Sequence, residues 1–343
     1  MPSSPFIRPR RPLSGDVPAG EAGSSPACRV SGGVHPPLKT VALGSPVAAH
    51  PVPRPPMGPV GRWVRRAERR VNLEMCRRVY PYVPGMGSIY SYQLRRNLVL
   101  ATGDVPVARL APAFQGATVL LLTDLHTGPF LQVGALEETF QRLLALQPDL
   151  ILLGGDLTTA TVEEFRPFIP AFKSLHAPLG VFAVMGNHDY YSGRPQDLVA
   201  LIKQTGVTLL DNCAVQLTRQ GESLTLAGID DLHWGRPDLH AALGSGAPPH
   251  LLLSHNPDVF FDAAWRGVSL VLAGHTHGGQ IRLPGMPLVI KMSRYALDEG
   301  RYGSEGSQLV VSRGLGVTGV PVRWDCPPEA VLVTLRQPQE PTC

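Results

Sequence analysis

The sequence predicts an α/β fold in which two mixed β-sheets pack face to face, with helices on the outside. From about residue 112 onward, short apolar runs alternate with amphipathic segments in a βαβαβ order. Farther along the 343-residue chain, the apolar runs continue with fewer helices between them. Five of these runs end in polar clusters, as expected of strands whose carboxyl ends meet at one edge of a sheet.

The individual elements follow from the spacing of apolar residues. Strands are expected at 117–123, 150–155, 181–185, 208–210, 224–227, 251–254, 270–273, 309–312 and 330–334. Helices are expected at 135–147, 162–175 and 195–205. Leu136, Phe140 and Leu143 share one face of the first helix, because residues three and four apart lie side by side. Pro195 suits the first turn of the third helix.

The N-terminal part differs from the rest in composition and charge. Residues 1–60 are rich in Pro, Gly, Ser and Ala without apolar periodicity, so we expect them to be disordered. Met57 offers an alternative start. Residues 1–110 contain 16 Lys/Arg against 5 Asp/Glu, whereas the remainder contains 15 against 22, within a net charge of +4. We divide the chain into a disordered leader (1–60), a basic N-terminal helical extension (61–110), a main domain (111–336) and a tail (337–343).

A basic amphipathic helix is expected at 60–80. Trp63, Ala67, Val71 and Met75 recur at every fourth position, and arginines occupy many positions between them. One interpretation places this helix on an anionic membrane surface. The other packs it on the main domain with the arginines in solvent. Nucleic acid is not an expected partner, because no base-reading motif accompanies the arginines.

Cysteine usage and hydropathy exclude several protein classes. The five cysteines occur singly, without a Cys-x-x-Cys pair, which argues against a disulfide framework and against a structural zinc site. No apolar run approaches the roughly 18–20 residues that span a bilayer. The Arg10-Arg11 pair lacks the apolar stretch of an export signal. We therefore expect a cytoplasmic protein, with peripheral attachment at the inner face of the membrane as the alternative.

Seven side chains suited to metal binding stand at the ends of the five apolar runs. They are Asp124, His126, Asp156, Asn187, His255, His275 and His277. Oxygen and imidazole ligands without thiolate suit divalent Mn, Fe, Co or Zn. Each residue alone has an ordinary structural explanation, such as capping a helix or forming a turn. Their joint occurrence at strand ends indicates a metal centre.

The number of ligands predicts two divalent ions that share one carboxylate. One ion would take Asp124, His126, Asp156 and His277, and the other would take Asp156, Asn187, His255 and His275. In Asp124-Leu125-His126, the alternation of an extended chain would place both ligands on one side. Two ions about 3.5–4 Å apart would lower the pKa of a shared water, and the resulting hydroxide would attack a phosphoryl group.

Further candidates surround the ligands. His188 is expected to protonate the leaving oxygen, with Asp189 orienting its ring. Arg282 and Arg313 are candidate phosphate contacts, and structural salt bridges are the equally weighted alternative. The loop pair His233-Trp234 is a candidate wall of a substrate groove, with an exposed loop of no particular role as the alternative.

The motifs Asp-x-His, Gly-Asp, Gly-Asn-His-Asp, a single His and Gly-His-x-His occur in this order over residues 117–277. In this the chain resembles the calcineurin-like metallophosphoesterase superfamily. The resemblance implies a four-layer α/β/β/α sandwich, a dinuclear metal site with the ligands given above, and His188 as the proton donor. The segments 228–231, 235–238, 278–284 and 312–316 are similar to the compact bacterial phosphodiesterase branch (YkuE-like), which includes membrane-associated enzymes.

We therefore expect the main domain to be a catalytic domain that hydrolyses phosphoesters with two divalent metal ions (Mn, Fe, Zn or Co) as cofactors. A phosphodiesterase or pyrophosphatase acting by bridging-hydroxide attack is favoured, with a lipid-linked or nucleotide substrate. The expected partners are this phosphoester substrate and an anionic membrane surface contacted through residues 60–80. The alternatives are a phosphomonoesterase, including a protein phosphatase, and a non-catalytic scaffold of the same fold.

Overall fold

The computed structural model describes residues 37–55, 58–283 and 291–338. Residues 1–36, for which disorder is predicted, lie outside these ranges. Residues 339–343 of the predicted tail also lie outside them. The described strands are β1 (Lys39–Ala42), β2 (Val47–Ala48), β3 (Val99–Pro106), β4 (Thr118–Leu122), β5 (Leu150–Leu153), β6 (Val181–Ala183), β7 (Thr208–Leu209), β8 (Cys213–Arg219), β9 (Glu222–Gly228), β10 (Leu251–Leu253), β11 (Leu270–Ala273), β12 (Gly300–Ser304), β13 (Ser307–Val311) and β14 (Glu329–Arg336). The described α-helices are α1 (Pro59–Arg78), α2 (Met86–Asn97), α3 (Val133–Leu144), α4 (Ile169–Lys173), α5 (Asn187–Tyr191), α6 (Pro195–Lys203), α7 (Leu239–Leu243) and α8 (Phe260–Trp265).

The strands form two seven-stranded mixed sheets. The first has the spatial order β1-β3-β14-β4-β5-β6-β7, and the second has the order β2-β12-β13-β11-β10-β9-β8. In the first sheet only the β14–β4 pair is antiparallel among the described strands. In the second sheet the pairs β8–β9 and β12–β13 are antiparallel. The carboxyl ends of β4, β5 and β6 therefore lie at one edge of the first sheet.

Alternate residues of the central strands pack into different layers, because successive side chains point to opposite faces. In β4, Leu121 belongs to the apolar core between the two sheets, whereas Leu120 packs toward the outer helices. In β10, Leu253 faces the same inter-sheet core and Leu252 packs in a third cluster with α8. This arrangement confirms the predicted four-layer α/β/β/α sandwich of two mixed sheets.

Three strands correct the predicted boundaries at the N-terminal side. β1 and β2 lie within residues 1–60, which were expected to be disordered, and each pairs with a sheet. β3 lies within the predicted helical extension 61–110, yet it is an inner strand between β1 and β14. The physical reason is that these strands are stabilised by partners distant in sequence, which a local apolar pattern does not reveal.

The helix predicted over 60–80 corresponds to α1. A second helix, α2, follows it and packs through its buried residues Tyr90 and Leu94 into the core that contains α3. Within the part of the chain that the structure describes, no helix is both long and apolar enough to cross a membrane.

Candidate metal centre

The seven predicted ligands converge at the carboxyl ends of strands from both sheets. Asp124, His126, Asp156 and Asn187 follow β4, β5 and β6 of the first sheet, and His255, His275 and His277 follow β10 and β11 of the second. All seven side chains are buried. The site therefore lies where the two sheets meet.

Five of the seven predicted ligands have a left-handed backbone conformation. Their φ angles are 52° for Asp124, 47° for His126, 51° for Asp156, 72° for His275 and 51° for His277. Such angles are uncommon for residues other than glycine and concentrate at functional sites. The ligands were expected to alternate along extended strand ends. Instead β4 ends before Asp124, and left-handed turns direct the side chains inward.

The first predicted ligand group is assembled in the structure. Asp124, His126, Asp156 and His277 each offer one ligand atom, and these atoms all lie within 4.8 Å of one another. The Nε2 atoms of His126 and His277 are 3.0 Å apart. Burial, the largest effect on each ring, lowers the pKa of His126 to about 3 and that of His277 well below its usual value. Two imidazole nitrogens at this separation share either one proton or one cation, so the group fits a metal ion.

The second predicted group lies beside the first. His255 Nε2 is 3.2 Å from Asn187 Oδ1 and 3.0 Å from His275 Nδ1. Asp156 Oδ2 is 3.4 Å from His255 Nε2 in this group and 3.5 Å from His126 Nε2 in the first. One carboxylate oxygen therefore stands between the two groups, in the position of a shared ligand. The donor set of carboxylate, amide oxygen and imidazole suits divalent ions.

Asp156 and His255 shift each other's pKa in opposite directions. Burial opposes the charged form of both. The neighbouring His255 and His188 nevertheless keep the pKa of Asp156 well below its usual value, and Asp156 raises the pKa of His255 to about 10. Because a histidine ligand must be neutral, a bound cation would take the place of the His255 proton.

Glycines leave the space that the ligand carboxylates occupy. A Cβ atom on Gly186 would lie 2.3 Å from Asp156 Oδ1, and one on Gly274 would lie 2.4 Å from Asp124 Oδ2. These glycines precede the Asn-His-Asp and His-Thr-His segments. The two motifs therefore need glycine because any side chain would displace one of these two carboxylates, which are predicted ligands.

His188 faces the first ligand group. Its ring meets the ring of His126 edge to face, with centroids 4.6 Å apart. Its Nδ1 lies 2.6 Å from the carbonyl oxygen of Thr159, to which a protonated Nδ1 donates. That contact orients the ring and leaves Nε2 for contact with a bound substrate. The segment around Thr159 is held in turn by Glu164, whose Oε2 accepts hydrogen bonds from three consecutive backbone N–H groups.

Asp189 does not have the contact that was predicted for it. Its buried carboxylate accepts hydrogen bonds from the N–H and hydroxyl of Thr158 and from the N–H of Gly186. These bonds stabilise the loops that carry the ligands. The Thr159 carbonyl, rather than Asp189, is the group that orients His188, and a side-chain motif does not reveal this because the acceptor is a backbone atom.

Arg282 and Arg313 support the salt-bridge alternative. Arg282 Nη2 lies 2.6 Å from Glu299 Oε2, and Arg313 Nη2 lies 2.8 Å from Glu329 Oε1. Their predicted role as phosphate contacts is thus not favoured, because their charges are already neutralised by carboxylates. Arg323 was missed as a site residue: it is buried, and its Nη2 lies 3.3 Å from His277 Nδ1.

A cavity of about 870 Å³ opens onto both ligand groups. Among its lining residues are the candidates His233 and Trp234, which supports the groove interpretation of that loop. Tyr191 also lines it, and its hydroxyl accepts a hydrogen bond of 2.8 Å from Asn187 Nδ2. This bond holds Asn187 with its oxygen toward His255. The wall also includes residues of α1, which agrees with the interpretation that packs this helix on the main domain.

Comparison with known proteins shows similarity over the same segment. A family model described as calcineurin-like phosphoesterase matches residues 117–279. The uncharacterized metallophosphoesterase YkuE of Bacillus subtilis is 30% identical over 259 residues, which cover 74% of this chain and 91% of that protein. Phosphodiesterase YaeI of Escherichia coli is 31% identical over 226 residues, which cover 63% of this chain and 81% of that protein. A Danio rerio transmembrane protein with metallophosphoesterase domain is 30% identical over 248 residues, which cover 68% of this chain and 56% of that protein.

Proposed function

Because the chain belongs to the calcineurin-like metallophosphoesterase family, whose members hydrolyse phosphoric esters at a dinuclear divalent metal centre, we propose that it is a phosphodiesterase. The candidate ligands for the two ions are the seven residues described above, with Asp156 shared. The relative YaeI is named a phosphodiesterase, which supports the same reaction class for this chain.

One observation carries the proposal. Asp156 Oδ2 lies 3.5 Å from an imidazole nitrogen of the first group and 3.4 Å from one of the second. A single carboxylate at this position suits two ions held side by side. When bound, two such ions would supply Lewis acidity toward a phosphoryl oxygen and lower the pKa of a shared water.

The protein's own side chains would act on the leaving group of the ester. His188 is the proton donor in the proposal, because Nδ1 is held by the Thr159 carbonyl and Nε2 is left to face the ester oxygen. The backbone N–H of His188 also donates to Asp156 Oδ1 at 2.8 Å. The same residue therefore positions the shared ligand and supplies the proton.

The cavity supports a diester rather than a monoester. It extends beyond the ligand groups along Tyr191 and Trp234, whose rings meet edge to face at 5.0 Å. A diester has a second substituent that must be accommodated, and this extension offers a wall for it that is lined by aromatic rings and by residues of α1.

The test compares bis-p-nitrophenyl phosphate with p-nitrophenyl phosphate, each with added Mn²⁺ and with chelator. Metal-dependent turnover that favours the diester is expected. Preference for the monoester would instead identify a phosphomonoesterase, and no turnover with any divalent ion would identify a scaffold of the same fold. Asp156→Ala serves as the inactive control.

We also propose peripheral attachment to anionic membranes through α1. Val60, Trp63 and Val71 are exposed on this helix, with 69% of Trp63 accessible. Exposed apolar side chains beside arginines are typical of helices that lie in the membrane interface. The similarity to a protein named as transmembrane is in keeping with a membrane-associated setting for this fold, and a lipid-linked substrate would suit such a location.

Vesicle sedimentation tests the attachment. Wild-type protein is expected to sediment with anionic vesicles at low salt and less with neutral ones. Trp63→Ala should weaken binding, whereas Trp265→Ala, which changes an exposed tryptophan on α8, should not. Equal recovery in the supernatant with and without anionic vesicles would refute the attachment.

A further inference from the structure

One face of α1 forms part of the wall of the catalytic cavity. Arg66, Arg69, Leu73 and Cys76 line it. Their spacing of three and four residues places them on one side of the helix. Cys76 is buried against the core, whereas Arg66 and Arg69 remain exposed. The helix therefore presents two arginines to the same cavity as the metal ligands.

Arg77 fixes the position of this helix. Its Nη2 donates to the carbonyl oxygen of Tyr191 at 2.7 Å and to that of Ala160 at 3.3 Å. Tyr191 is the last residue of α5, which begins with the candidate ligand Asn187. Since α1 is bonded directly to the segment that carries the second ligand group, its cavity face is a defined part of the site.

Arg69 lies over two aromatic rings inside this wall. Its Cζ is 4.8 Å from the ring centroid of Trp234 and 5.6 Å from that of Tyr191. In a cation–π contact of this kind, the flat face of the guanidinium packs on the aromatic ring. The N–H groups lie at the edge of the guanidinium plane, so a stacked arginine keeps donors available for an anion.

The rings beneath Arg69 lead to the ligand groups. The Tyr191 hydroxyl accepts the hydrogen bond from Asn187. The ring centroids of Tyr191 and His188 are 4.5 Å apart. A substituent attached to a phosphoryl group at the metal centre would pass along Tyr191 before it reaches Arg69. Arg69 is thus placed to contact the part of the substrate beyond the reacting phosphate.

We propose that Arg69 binds a second anionic group of the substrate, so that the favoured substrates are diesters whose substituent carries a negative charge beyond the reacting phosphate. This inference rests on the proposed phosphodiesterase function and assigns a substrate class to it. A guanidinium pairs with phosphoryl oxygens through two parallel N–H···O bonds. Arg66, three residues earlier on the same face, adds positive charge to the same wall.

Two nucleotide probes that differ by one phosphoryl group test the proposal. Binding of AMP and of α,β-methylene-ADP is measured by calorimetry with Mn²⁺-loaded protein, which does not depend on turnover. The variants are Arg69→Gln, which removes the charge, and Arg69→Lys, which keeps the charge without the planar stacking. Arg70→Gln is the matched control, because Arg70 is exposed on another face of α1. Metal content and thermal unfolding show whether each variant is folded and loaded.

Wild-type protein is expected to bind α,β-methylene-ADP more tightly than AMP. Arg69→Gln should reduce this preference about tenfold or more, which is the contribution of hydrogen bonds to a charged group. Arg69→Lys should show an intermediate loss, and Arg70→Gln should match wild type. Equal binding of the two nucleotides by wild type, or equal weakening of both by Arg69→Gln, would overturn the assignment. Failure of the proposed function is seen separately, as absence of diester hydrolysis by wild type.

Discussion

Tyr191→Phe tests a hydrogen bond at the edge of the candidate metal centre. The substitution removes the hydroxyl that accepts from Asn187 Nδ2 at 2.8 Å and keeps the ring against His188 and Trp234. Without this acceptor, the Asn187 amide is free to rotate its oxygen away from His255, from which it is 3.2 Å. The second ligand group should therefore lose its neutral oxygen donor, while the first group is left intact.

The expected magnitude follows from the bond that is lost. A hydrogen bond of this kind contributes about 0.5–1.5 kcal/mol, and removal of a group that orients a metal ligand lowers metal affinity about 10–100-fold. Because Asn187 is one of four ligands in its group, we expect the weaker of two Mn²⁺ binding steps to lose about tenfold in affinity. The tighter step should be unchanged if it belongs to the first group.

Calorimetric titration of the metal-free protein with Mn²⁺ measures both steps. Tyr190→Phe is the matched control, because the neighbouring hydroxyl donates to Asp230 rather than accepting from Asn187. Two unchanged steps in Tyr191→Phe would refute the orienting role of the hydroxyl. Equal weakening of both steps would show that the two ligand groups are not separable as described.

Three further results are expected. His188→Ala should keep both metals and lower turnover, most for diesters with poor leaving groups, whereas Asp156→Ala should lose metal as well; metal analysis showing the reverse would contradict the assigned roles. Chelation should lower the unfolding temperature and Mn²⁺ should restore it, since a ligand at 100 times its Kd stabilises by about 2.7 kcal/mol; no shift in a thermal scan would argue against a preformed metal site. Burial raises the pKa of Cys76 from 9.0 to about 12, so native protein should resist iodoacetamide at Cys76 at pH 8 in peptide mapping. Because the neutral thiol is the form favoured by folding, its contribution to stability is complete below pH 9 and is lost as pH rises toward about 12.

The ligand strands could be predicted because each is a short apolar run that ends in a polar cluster. β4, β5, β10 and β11 were found in this way within one or two residues at their ends. β3 could not be found, because its partners β1 and β14 lie far away along the chain and its own sequence includes Gly103 and Asp104. Local patterns detect which face of a strand is buried but not which distant strand completes the sheet.

The candidate site residues could be predicted from the sequence, but the hydrogen-bond and ion-pair partners of those residues could not. His188 was identified from its place in the Gly-Asn-His-Asp segment, but its partner is the backbone carbonyl of Thr159, which leaves no mark in the sequence. The charge of Arg282 and Arg313 is visible in the sequence, but the glutamates that neutralise it are visible only in the structure. Arg69 was visible as part of a basic helix, but its place in the cavity depends on tertiary packing.

The position of β14 has a consequence for how the protein is made. β4, which leads into Asp124, is bordered in its sheet by β5 and by β14, the last strand described along the chain. The loop after β4 is also fixed by residues just before β14, since the N–H of Gly316 donates to the carbonyl of Asp124 at 2.6 Å. During synthesis the first sheet therefore remains open until β14 has been translated, and closing so long a loop slows folding.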